Sequence, residues 1–302
     1  MDNPSLSIDF ILVERQIMTK KELFDLLIGK KYIEKFSSNH WYDLCLFSIE
    51  QKVENILYKK MLADSILNEI PKPIQKILFL SYNYNMQKNK IYLSEFINLY
   101  KELINKVNIF IPYKGLFMIK YIYKDLGLRH MEDIDCLCDR SDSSNIIELL
   151  KEQEYSLKLI NDSPFFQNFT KDSVESLLFE KFTKQNAFVS NIKLDLKFIH
   201  TLSEEEIHII KTSNIYESQN LIEISFMLLC LDFYNDSYSS SQILSPENCT
   251  LIKYFDIFSF INKYPFETAS ILHCPILVNK CYINYVTQCI NYFSSDKENK
   301  DL

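Results

Sequence analysis

Glycine is almost absent from this chain, with three residues in 302, at positions 29, 115 and 127, against a usual share of about 7%. Arginine is as scarce, with three residues, at 15, 129 and 140. A chain so poor in glycine keeps it where the backbone must turn sharply or something must come close. Two glycines and two arginines within residues 115–140 therefore single out that stretch. Long apolar runs are also missing. The longest, ISFMLLCL at 224–231, is far short of the ~20 residues that a membrane span requires. The N-terminus, MDNPSLSIDF, has neither the basic nor the apolar segment of a signal peptide. A cytoplasmic protein away from membranes is expected.

Metal and disulfide spacings are missing too. The eight cysteines include no CxxC pair and the five histidines no HExxH, so reduced, buried thiols are expected. There is no excess of positive charge: 33 basic residues face 40 acidic ones, for a net charge of −7 and a pI near 5.4. That balance argues against broad, charge-driven binding to long nucleic acid or to an anionic membrane. What is present is the composition of a globular chain, 47% hydrophobic and 24% charged, long enough for a sizeable core.

Apolar residues recur at three- and four-residue spacing from residue 6 to about 105, which predicts helices, with PKP at 71–73 breaking the run and opening the next helix. The pattern then changes. VNIFIPYKG (107–115) reads as a short strand closed by Gly115, LFMIKYIYKD (116–125) as a buried helix and MEDIDCLCD (131–139) as a strand. SDSSNIIELLKEQEY (141–155) reads as an amphipathic helix, SLKLI (156–160) as a further strand, and IKLDLKFIH (192–200) as the cleanest alternation in the chain. From 203 onward the helical period returns, interrupted by a Ser/Asn-rich loop at 234–248. The expected organisation is a helical region over 1–105, an α+β core with a small mixed sheet over 106–202, and a second helical region over 203–302.

Within that core two aspartates stand one residue apart. On a strand, Asp133 and Asp135 project from the same face, with Cα atoms about 7 Å apart. Like charges at that range repel, so either the face is wet and the repulsion screened, or a cation sits there. Asp195, between Lys193 and Lys197 on another strand, is equally well explained by a cross-strand ion pair.

The stretch YKGLFMIKYIYKDLGLRHMEDIDCLCD resembles the DNA polymerase β-like nucleotidyltransferase superfamily, and more closely the bacterial group called nucleotidyltransferase family 5. That group's order of Lys-Gly, a helix with a tyrosine, Gly-x-Arg and Asp-Ile-Asp is matched by Lys114-Gly115, Tyr123, Gly127-x-Arg129 and Asp133-Ile134-Asp135. KLDLKF supplies the later aspartate, Asp195, although Lys197 stands where the family has histidine, and no serine follows Gly115 as it does in many of the wider superfamily. The likeness extends over about 50 to 260. It implies a polymerase-β-like core, and a Mg²⁺-dependent enzyme that moves a nucleoside monophosphate from a nucleoside triphosphate to a hydroxyl acceptor on a small molecule, peptide or protein. Asp133 and Asp135 would bridge two Mg²⁺ ions, and Asp195 would serve the acceptor side. Gly115 would let backbone N–H groups reach the triphosphate, so that Gly115→Val should weaken its binding in a folded protein. Lys114 and Arg129 would carry phosphate charge or brace the site. Tyr123 is expected to pack in the core and Asp256 to be a buried hydrogen-bonding residue. The readings from other classes are a catalytically silent binding protein on the same fold, or a protein-modifying toxin–antitoxin component.

Overall fold

A computed structural model of the chain describes residues 18–31, 36–158, 176–183, 186–199 and 249–264, with scattered helical positions between 222 and 237 and at 288. It is a mixed α+β architecture with a five-stranded mixed sheet, consistent with a nucleotidyltransferase-like fold.

The first region is helical over its described residues, as its periodicity predicts; residues 6–17 and 32–35 of that expectation lie outside them. Helix α1 (Lys20–Leu27) starts at a capping box, in which the Thr19 hydroxyl accepts from Glu22 N–H at 3.2 Å and the Glu22 carboxylate accepts from Thr19 N–H at 2.9 Å. It gives way to Gly29 at φ +81°, where a side chain would be strained. Helices α2 (Ser38–Glu50) and α3 (Glu54–Ala63) follow. Helix α4 (Lys72–Leu103) opens with Pro73 in its first turn, where the missing N–H costs nothing. Its buried stripe, Ile74, Leu78, Asn85, Asn89, Tyr92, Phe96, Leu99 and Leu103, contains two asparagines whose side chains serve the site described below.

The sheet runs in the order β1-β2-β5-β4-β3, with β1 Phe110–Pro112, β2 Ile134–Asp139, β3 Ser156–Lys158, β4 Ser176–Phe182 and β5 Asn191–Ile199. Only β2 and β5 pair in parallel, in a register that sets Asp135 opposite Asp195. Pro112 sits on the edge strand β1, where it disturbs the ladder least. Ile134, Cys136, Cys138, Leu194, Leu196 and Phe198 form one face, packed on Tyr92, Phe96, Leu99 and Leu103 of α4 and on Ile146, Leu149 and Leu150 of α6 (Ser143–Glu152). Asp135 and Asp195 belong to the other face. Strand β4 has no counterpart among the sequence expectations. The segment after β1 is helical as expected, but only Gly115–Phe117 (α5) winds as an α-turn and Met118–Tyr123 continues in wider π-turns. Of the expected loop at 234–248, Tyr234, Asp236 and Ser237 are helical instead, and the remainder lies outside the described residues, as do 159–160 of the expected third strand.

A second cluster joins the two ends of the chain. Leu23, Phe24, Trp41, Leu57 and Met61 pack with Phe117 and Met118 and with Phe233, Tyr254, Ile257 and Phe260, the last three on α7 (Leu251–Lys263). The two helical regions thus share one core. Gln51 ties them further: its side-chain carbonyl accepts from Leu251 N–H and its backbone carbonyl from Ile252 N–H, each at 3.2 Å, satisfying two of the donors that a helix start leaves open. The described cysteines, 45, 136, 138, 230 and 249, are free and buried. Among the described residues no helix is long and apolar enough to cross a membrane.

Gly127 shows what the scarce glycines are kept for. A Cβ there would lie 2.3–2.7 Å from the Tyr82 ring, whose hydroxyl donates to Asp125 at 2.7 Å, and Asp125 accepts in turn from Gly127 N–H at 2.8 Å. Gly127→Ala must push the ring away from that bond. It is expected to cost about 1–3 kcal/mol of stability, the usual range for overpacking. Urea unfolding of the variant checks this, and wild-type stability would remove the close approach as the reason for glycine.

Candidate active site

The turn that delivers Asp133 is held from α4. Asn85 Nδ2 donates to the carbonyls of Gly127 and Arg129, both at 2.8 Å, and Asn89 Nδ2 donates to those of Leu126 and Arg129 at 2.7 and 2.8 Å. Tyr92 adds a bond from its hydroxyl to the Glu132 carbonyl at 3.1 Å. Three side chains on one helix face thus immobilise the backbone immediately before the aspartate pair.

Asp135 lies on β2, only 5% exposed. Asp133, just before the strand, is partly exposed. A cation is present, and it is the chain's own: Lys114 Nζ lies 3.1 Å from Asp135 Oδ1 and 2.9 Å from Asp232 Oδ1. Lys253 of α7 approaches the other oxygen of Asp232 at 2.8 Å and also pairs with Asp236. The backbone of Lys114 is itself unusual, at φ 53° and ψ −117°, a conformation that costs a non-glycine residue about 1–3 kcal/mol. Its neighbour Tyr113 is fixed by an N–H bond to the Asp135 carbonyl at 3.0 Å, so the chain turns back sharply at Lys114 and sends the ammonium over β2.

The carboxylates differ in charge balance. Burial, only partly offset by Lys114, and the neighbouring charge of Asp133 push Asp135 up to about 6. Burial and Asp135 push Asp195 up to about 6 as well, against Lys114 and Lys197. Asp133 is raised in the same sense by burial and Asp195, again against Lys114. Asp232 is the opposite case, because Lys114 and Lys253 outweigh its burial and hold it down at about 2. Asp195 Oδ1 is buried without a hydrogen-bond partner, an expensive state for a carboxylate oxygen.

These oxygens are hard donors suited to a divalent cation. Asp133, Asp135 and Asp195 could hold such an ion. Among the described residues, however, no three acidic, imidazole or thiol side chains already stand grouped as a metal-binding set. Lys114 is bonded to Asp135, and the ligands would have to draw together.

The remaining expected site residues take structural positions. Arg129 is turned onto Asp256, with Nε 2.9 and 3.2 Å from the two carboxylate oxygens, and Nη1 donates to the His130 carbonyl at 3.0 Å. Of the two roles the sequence left open, bracing is the one this geometry serves. Tyr123 donates to the same Asp256 at 2.7 Å, and Asp256 is 1% exposed. A Cβ on Gly115 would lie 2.8 Å from Met131 Sδ and 3.1 Å from Arg129 Nη1, so this glycine makes room for the bracing side chains. Gly115→Val therefore requires the Met131 side chain to shift.

Sequence reasoning missed Asp232, Lys253, Asn85 and Asn89. One signal was present. Asp232 closes the longest apolar run in the chain, and a charge set into a buried helix needs a partner; which partner depends on tertiary contacts. A family model described as an uncharacterised nucleotidyltransferase matches residues 37–267, most of the chain. No curated protein and no solved structure gives a significant match.

Proposed function

Since the chain belongs to that family of uncharacterised nucleotidyltransferases, we propose that the carboxylate cluster on β2 and β5 is its catalytic centre and that the enzyme works with Mg²⁺ and a nucleoside triphosphate. The observation that carries this reading is the parallel register of Asp135 and Asp195 together with the unpartnered Asp195 oxygen. In the reaction, an acceptor hydroxyl oxygen bonds to the α-phosphorus, the bond from that phosphorus to the bridging oxygen breaks, and pyrophosphate leaves with the electron pair. Asp133, Asp135 and Asp195 would hold the Mg²⁺ ions, which when bound supply positive charge to the phosphoryl oxygens and lower the pKa of the attacking hydroxyl. Asp195, on the acceptor side, would help to take the hydroxyl proton as the new bond forms. Lys114 positions Asp135 and would carry phosphate charge. Arg129 and Gly115 keep the supporting turn in place.

The test is thermal stabilisation by Mg²⁺ and nucleoside triphosphate together. Binding to the native state alone raises the melting temperature by mass action, so the increment should grow with ligand concentration. Asp195→Asn should lose transfer and keep most of that increment, because its role is on the acceptor side. A wild-type protein with no such increment would favour the silent binding protein, whose best support is the ammonium of Lys114 bonded to Asp135.

A further inference from the structure

Beside Asp133 stands a second charged group that the transfer chemistry does not use. The parallel ladder begins with Ile134 opposite Leu194, the residues just after Asp133 and Lys193, and Lys193 lies on the same face and strand as Asp195. Lys88 reaches the same place from α4, its ammonium 5.6 Å from the centre of the Tyr92 ring. Lys52 completes the group from the turn between α2 and α3, and pairs with Glu132 at 2.8 Å. The three ammonium groups lie close enough for Lys88 to feel the charge of both others, and of Glu132 and Asp133.

Only Lys52 is committed to a carboxylate. Among the described residues neither Lys88 nor Lys193 closes to ion-pair distance on any acid, although both are half-buried. Partial burial of an ammonium without a salt bridge is unfavourable. Lys114, by contrast, is already occupied by Asp135 and Asp232. The uncommitted positive charge therefore lies on the flank of Asp133 and β5, which also carries the residue assigned to the acceptor.

We propose that Lys88 and Lys193, with Lys52 beside them, form a subsite for an oxyanion on the acceptor, a phosphate or a carboxylate carried near its reacting hydroxyl. The assignment of this anion to the acceptor rests on the nucleotidyl-transfer reading. The subsite itself does not, because anion binding needs neither nucleotide nor turnover. The acceptor class is then a hydroxylated phosphate monoester or hydroxy acid, and an uncharged alcohol is a poor substrate.

Calorimetric titration of the full chain in EDTA, without nucleotide, tests this with ribose 5-phosphate, gluconate and ribose as probes. Ribose 5-phosphate or gluconate should bind the wild type, and whichever does identifies the oxyanion as phosphate or carboxylate; ribose should not. The Lys88→Gln/Lys193→Gln double variant should bind that probe at least about ten-fold more weakly, whereas Lys151→Gln, on the exposed side of α6, should bind normally. Stabilisation by Mg²⁺ and nucleotide should survive in the double variant. Absence of binding to the wild type, or unchanged affinity in the double variant, overturns the subsite. Loss of nucleotide stabilisation in the double variant overturns its assignment to the acceptor. A wild type that binds the probe but not Mg²⁺ with nucleotide leaves the subsite standing and sinks the transfer reading alone.

Discussion

Without divalent cations at pH 7, the Asp135→Asn protein is expected to melt at a higher temperature than the wild type while catalysing no transfer. The reason lies in the raised pKa values. Asp135 sits at about 6 in the folded chain, against about 3.9 when unfolded. The native state therefore binds its proton more tightly, and the stability contributed by the protonated form is complete below about pH 4. It disappears as the pH rises through about 6. Above that window the ionised carboxylate costs about 3 kcal/mol relative to the unfolded chain, an upper bound for one of several coupled groups. Asparagine has nearly the same shape and no charge. The difference in melting temperature between variant and wild type should therefore be close to zero below pH 4, open between pH 4 and 6, and stay constant above. Mg²⁺ with nucleotide should reverse the order, because only the wild type gains from binding. Melting curves across that pH range, in EDTA and in Mg²⁺-nucleotide, check both parts. A variant that is less stable than wild type in EDTA, or that keeps the full ligand increment, would remove Asp135 from the proposed centre.

The second large effect is structural. Asp256→Ala leaves the Arg129 guanidinium buried without its partner, and takes away the acceptor of the Tyr123 hydroxyl. Breaking a buried pair from one side costs about 3–5 kcal/mol, on the order of 10 °C in melting temperature for a chain of this size. Replacing both partners, as Arg129→Met/Asp256→Leu, should restore much of the loss, because no charge is then left uncompensated. Thermal denaturation of the single and double variants decides this. An Asp256→Ala protein with wild-type stability would mean that the pair contributes nothing to the turn before Asp133.

The elements with a strong period could be read in advance. Strand β5 alternates cleanly because one of its faces is apolar core and the other carries Lys193, Asp195 and Lys197. The start of α4 was legible from Pro73. Strand β4 was not, because SLLFEKF has apolar residues on both faces, Phe179 toward the core and Leu178 beside Asp195. Strand β2 has all six residues buried, whereas its alternation also allowed a solvent face. What closes that face is a lysine from the β1–α5 turn and an aspartate nearly a hundred residues farther along the chain. No local pattern encodes such a contact. Asn85 and Asn89 were hidden for a related reason: at core spacing in a helix they resemble interruptions of the apolar stripe, and their meaning lies in the carbonyls opposite them.

The bonds from Gln51 to the start of α7 bear on how the protein is made. Helices α1 to α3 leave the ribosome roughly two hundred residues before the helix that covers them, a wait on the order of 10–40 s at ordinary synthesis rates. Leu23, Phe24, Trp41 and Met61 emerge long before Tyr254 and Phe260 exist to bury them. A nascent chain stalled before residue 251 should therefore be protease-sensitive and bound by chaperones, and should become resistant within a short further length of synthesis. Completion of this core is set by the arrival of α7, even though the aspartate pair is translated midway.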